Sequence, residues 1–78
     1  MSIEHLVTMA NDIGHFFASE TQRADAIEGI ARHMQRFWDP RMLRHIVAHL
    51  KNGGEGLDEL PREAIARLAA AGGESVHT

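Results

Sequence analysis

Apolar residues recur along this chain at the three- and four-residue spacing of a helix face, in four segments separated by polar or glycine-containing breaks. At about 100° per residue, Leu6, Ala10, Ile13 and Phe17 fall on one stripe, with Ile3 at its edge. Met9 and Phe16 fall on the flank. The pattern predicts a first helix over residues 3–18. Gly14 lies inside it, at a propensity cost of about 1 kcal/mol. Close approach of another backbone or a local kink would each account for that glycine. The polar run Ser19-Glu20-Thr21-Gln22 then breaks the pattern. Ser19 and Gln22 have capping-box spacing, and Thr21 is the rival N-cap.

A second helix is predicted over residues 22–37, with Ile27, Ile30, Ala31, Met34 and Trp38 inward. Phe37 lies off-centre, as Phe16 does on the first helix. Each tandem aromatic pair therefore splits, because neighbours on a helix point about 100° apart. One ring is central and the other sits at a margin.

The stretch Phe37-Trp38-Asp39-Pro40-Arg41-Met42 predicts a corner. Proline lacks a backbone N–H and disfavours helical geometry in the residue before it. The second helix should stop near Trp38. Asp39 is suited to N-cap the next helix, and Pro40 suits its first position. Trp38, Asp39 and Pro40 are thus expected to form a structural corner.

The third helix is predicted from Pro40 to about Lys51, with Leu43, Ile46, Val47 and Leu50 inward. Asn52-Gly53-Gly54 is a stop signal, since glycine takes the left-handed C′ conformation without penalty. After the short loop Glu55-Gly56-Leu57, Asp58-Glu59-Leu60-Pro61 reads as another helix start. A fourth helix over residues 59–70 would offer Leu60, Ala64, Ile65 and Leu68. Its alanine- and glycine-rich end is expected to fray. With no strand pattern and no repeat, the reading is all-α: three core helices plus a shorter C-terminal helix. Residues 1–71 form one helical domain, and residues 72–78 are expected to be a flexible tail.

Composition narrows the function classes. A chain of 78 residues has a marginal core, and without cysteine it has no disulfide or thiolate metal site to reinforce it. A partner surface is a natural source of extra stability. The absence of cysteine fits a reducing compartment. Met1-Ser2-Ile3-Glu4 carries no apolar run, so no signal peptide is expected, and no stretch approaches the length of a membrane span.

The net charge of −3 is unevenly spread. Residues 1–29 carry one arginine against five acids, residues 30–51 five cations against Asp39, and residues 52–78 two arginines against five acids. The basic middle raises nucleic-acid binding. The acidic flanks cancel the excess that such domains need, so a protein partner is favoured.

Catalytic motifs are missing from the sequence. No serine sits in a strand-turn-helix elbow, and Gly53-Gly54-x-Gly56 lacks phosphate-loop spacing. The carboxylates fall on solvated faces and caps, and a small helical domain leaves little room for a pocket. Of six histidines, His45 and His49 have i, i+4 spacing, but no third ligand or His-Glu-x-x-His pattern joins them. They read as surface imidazoles, as does His33. Arg32 with Arg36, and Arg41 with Arg44, share helix faces. Arginine beside exposed rings is a hot-spot composition, with ordinary solubility as the plainer account. The candidate partner interface is Phe16, His33, Arg36, Phe37, Arg41 and Arg44.

Two motifs carry a family resemblance. They are Met9-Ala10-Asn11-Asp12-Ile13-Gly14-His15-Phe16-Phe17 and Gly29-Ile30-Ala31-Arg32-His33-Met34-Gln35-Arg36-Phe37-Trp38-Asp39-Pro40-Arg41-Met42. The pattern His-x-x-Arg-Phe-Trp-x-Pro-Arg-Met is the more specific. Over about Ile3 to Ala70, the chain resembles the small delta subunit of the soluble, NAD-dependent, molybdenum-containing formate dehydrogenases. Asp12 is a small departure, where a longer polar side chain is the family's expectation.

The resemblance implies a non-catalytic, cofactor-free, cytoplasmic accessory subunit that supports assembly, maturation or stability of its complex. It places the molybdenum bis-pterin cofactor, iron–sulfur clusters and FMN in other subunits. The expected partner is the alpha subunit that carries molybdenum, with other subunits of the complex possible partners and no nucleic acid or membrane. In isolation the same edge is open to pairing as a homodimer. The alternative function is a stand-alone helical regulator that binds nucleic acid through Arg32, Arg36, Arg41 and Arg44.

Overall fold

A computed structural model describes residues 2–77, with side chains described through Ala71. Four helices follow in order: α1 (Ile3–Phe17), α2 (Arg23–Phe37), α3 (Pro40–Lys51) and α4 (Glu59–His77). No strand occurs among the described residues. The all-α expectation holds. The fourth helix, expected over residues 59–70 and shorter than its neighbours, is assigned to Glu59–His77. Ala69, Ala70 and Ala71 favour its continuation, since alanine has the highest helix propensity. The tail expected over residues 72–78 lies outside the residues whose side chains are described.

Each boundary has a local cause. Ser2 caps α1, its hydroxyl accepting the His5 N–H at 3.3 Å. The cap of α2 differs from both sequence candidates. Gln22, rather than Ser19 or Thr21, is the N-cap residue, and its side chain makes no capping bond. Its carbonyl accepts from the Asp25 and Ala26 N–H groups, and Asp25 places negative charge in the first turn. A capping side chain is therefore dispensable here.

The corner forms as the proline predicts. Trp38 ends α2 in an extended conformation (φ −88°, ψ 137°), its N–H still bonded to the Met34 carbonyl at 2.8 Å. Asp39 Oδ1 accepts the Met42 N–H at 3.0 Å, and Pro40 opens α3. At the far end of α3, the Gly54 N–H reaches the His49 carbonyl at 2.9 Å and the Gly53 N–H reaches that of Leu50 at 3.0 Å. This is a Schellman closure, with Gly53 at φ 113° supplying the left-handed C′ residue.

The core draws on every helix. Leu6 and Ala10 of α1 meet Ile27, Ile30, Met34 and Trp38 around α2, with Ile46 of α3 and Ala64 and Ile65 of α4. Leu57 plugs the loop before α4 into the same cluster. α4 packs chiefly on α2, while α3 packs on α4 and α1. Consecutive in sequence, α2 and α3 make little contact with each other.

Gly14 answers to a close approach, but of a side-chain ring and not of another backbone. A Cβ there would lie 2.8 Å from Pro61 Cδ, so its absence lets the buried proline ring of α4 press onto α1. The neighbour is a side-chain ring rather than backbone, and α1 runs unbroken through the position.

Candidate interaction face

Among the described residues, Phe16 and Phe37 are the two large hydrophobic residues left exposed, at 76% and 67% of their surface. Trp38, next in sequence to Phe37, is 5% exposed. Phe17, next to Phe16, packs against the core. The split expected of each aromatic pair is therefore present. Its geometric cause is the step of about 100° between neighbouring side chains.

The exposed rings belong to one ladder. Phe16 meets Phe17 edge-on, with centroids 5.1 Å apart. Phe17 crosses to α2 and meets His33 at 6.3 Å, again edge-on. His33 meets Phe37, one turn along α2, at 4.8 Å. The Arg36 guanidinium lies 6.0 Å from the Phe37 centroid, at the outer limit of a cation–π contact. Edge-on rings satisfy the aromatic quadrupole and hold one another's rotamers. The exposed apolar surface is thus presented in a defined shape.

Four of the six expected interface residues are brought together: Phe16, His33, Arg36 and Phe37. Arg41 and Arg44 stand apart on α3, lining a shallow depression with His45 and Ala48. The sequence reading missed two contributors. Phe17 belongs to the core stripe by its spacing, yet it also links the two helices of the ladder. Gly29 makes that link possible. A Cβ at Gly29 would lie 2.6 Å from two atoms of the Phe17 ring. The available signal was a glycine in mid-helix, whose propensity cost asks for a close neighbour.

Other polar groups serve the fold. The Asn11 carboxamide bridges the loop before α4, donating to the Gly56 carbonyl and accepting the Asp58 N–H, each at 2.9 Å. Arg62 donates to the Gly53 and Gly54 carbonyls at 3.1 and 2.9 Å. His49 Nε2 lies 2.8 Å from the Glu55 carbonyl oxygen, while His45 is exposed. Among the described residues, no group of three or more histidine, cysteine, aspartate or glutamate side chains is gathered as for a metal ion. No helix among them is long and apolar enough to cross a membrane.

A family model described as the NADH-dependent formate dehydrogenase delta subunit, FdsD, matches residues 5–65 of the 78. Comparison with curated proteins and with solved structures gives no match. The matched span contains the whole ladder, the proline corner and α3.

Proposed function

The chain belongs to the NADH-dependent formate dehydrogenase delta-subunit family, and we propose that it is a non-catalytic accessory subunit that docks on the molybdenum-bearing alpha subunit. The family makes it a subunit of a formate dehydrogenase complex, with other subunits as its partners. The ladder is the observation that carries the docking role. Two exposed phenylalanines, braced by Phe17 and His33 and flanked by Arg36, have the composition of an interface hot spot. Braced rings lose little rotamer freedom on binding, so more of their burial appears as affinity.

In this reading the chain holds no cofactor. The bis-pterin molybdenum centre, iron–sulfur clusters and FMN belong to other subunits of a cytoplasmic complex. The delta chain supports assembly, maturation or stability of that complex. Arg41 and Arg44 add a second, cationic contact on α3. The ladder is also the surface through which a free chain would pair with itself.

The test is co-purification. The tagged chain, co-expressed with the other subunits, is expected to retain the alpha subunit. Phe37→Ala is expected to lose it while keeping the parent's helical content. Undiminished retention by a Phe16→Ala/Phe37→Ala double variant would remove the ladder from the interface. Failure of the parent chain to retain any subunit would remove the docking role itself.

A further inference from the structure

The proline corner opens a second face. α2 and α3 diverge from it with little mutual contact, and a groove lies between them. Leu43 and Val47 of α3 and Leu68 of α4 give it an apolar floor. Arg44 and Lys51 of α3 line it as well, and Gln35 contributes from α2. On α2, Gln35 lies about 160° round the helix from both His33 and Phe37. The groove and the ladder therefore occupy opposite flanks of the core stripe.

Charge identifies what fits the groove. α3 contains no acidic residue, and its cations Arg41, Arg44 and Lys51 enter no ion pair among the described residues. The acids of the chain are concentrated before and after this segment. An occupant needs an apolar stripe for the floor and carboxylates for the walls. Shape favours a helix. Residues of three helices border the groove, and an apolar groove between helices is the kind of surface that takes the apolar face of a further helix. No sheet edge is present among the described residues to receive an extended strand. A second copy of this chain is poorly suited, because its helices already commit their apolar stripes to the core.

We propose that the α2–α3 groove receives an acidic amphipathic helix of a partner subunit, so that the chain bridges two elements of its complex, the ladder gripping one and the groove the other. The proposal rests on the subunit reading and adds a second attachment point to it.

The test places the photocrosslinker p-benzoylphenylalanine at exposed position 48, within the groove, or at exposed position 16, on the ladder, in the chain co-expressed with the other subunits. Position 48 is expected to crosslink to a helical segment of another subunit in which carboxylates outnumber cations. An Arg44→Glu/Lys51→Gln variant should lose that crosslink, keep the one from position 16, and associate roughly tenfold or more weakly. Glutamine at 51 avoids placing an acid at a helix C-terminus. Circular dichroism checks that the variant keeps its helices, and Arg44→Gln alone should show a smaller loss in the same direction. The weakening should shrink as ionic strength rises.

Crosslinking from position 48 to a second copy, to nucleic acid, or to a neutral or basic segment overturns the proposal. So does silence at position 48 while position 16 still crosslinks, a result that leaves the subunit reading intact. Silence at both positions, with no co-purification, overturns both.

Discussion

Phe37 and Trp38 are neighbours with opposite surroundings, and the contrast sets the sharpest single-residue expectations. Trp38 is buried at the corner among Met34 and the other core residues, so Trp38→Ala removes a large fully packed ring. The expected loss is about 3–5 kcal/mol, a large share of what a small domain has. Phe37→Ala removes a ring that is mostly in solvent. It should leave the melt nearly unchanged and weaken subunit association by about 2 kcal/mol or more, as truncation at a hot spot does. A melt and a titration on each variant test the pair. If Phe37→Ala unfolds the domain while Trp38→Ala only loses the partner, the two faces are exchanged. The division between these rings was legible from sequence, because it needs only the angle between consecutive side chains. The contact of Phe17 with His33 was not. It depends on the register of two helices, which brings the Phe17 ring of α1 onto Gly29 of α2, where a Cβ would clash. Gly29→Ala should accordingly displace the Phe17 ring and weaken association, with a cost to the fold of about 1–3 kcal/mol.

At the scale of elements, the corner and the loop before α4 differ in how much the sequence reveals. The corner is local. Trp38, Asp39 and Pro40 determine it through proline's missing N–H and an N-cap three residues from its donor, so it could be read directly. Asp39→Ala removes the bond to the Met42 N–H and should cost about 0.5–2 kcal/mol. In a domain of this size that corresponds to a fall in melting temperature of roughly 2–16 °C. An unchanged melt would mean that the cap contributes nothing. The N-terminus of α2 is the counterexample, since two plausible caps, Ser19 and Thr21, go unused and the helix begins at Arg23. The loop is held by groups far away in sequence. Asn11 reaches it across 45 residues, and Arg62 clamps its first carbonyls from α4. Nothing in local propensity points to these partners. Asn11→Ala should leave the helices in place while amide exchange quickens at Asp58, whose N–H loses its acceptor.

For the whole molecule, the proposed role separates catalysis from stability. The purified chain is expected to oxidise no formate with NAD⁺ and to hold no stoichiometric metal. Turnover by the chain alone, or one bound zinc per chain lost in a His45→Ala/His49→Ala variant, would contradict the accessory reading. Docking then has a thermodynamic consequence that does not depend on which subunit is touched. A chain of 78 residues buries a modest core, and its largest exposed rings are the ones assigned to the partner. Any partner that binds the folded chain and not the unfolded one stabilises it, by about 2.7 kcal/mol at a free partner concentration a hundred times the dissociation constant. For a domain of this size that is an upward shift of roughly 10–20 °C in the temperature at which the delta chain unfolds. Limited proteolysis over a temperature ramp, read by an antibody to the delta chain, compares the free and complexed forms. The complexed chain is expected to survive where the free chain is cut, and Phe37→Ala should remove most of the difference without altering the free form. Equal survival of free and complexed parent chain would mean that association adds nothing to the fold, and the proposed interface would have to be abandoned.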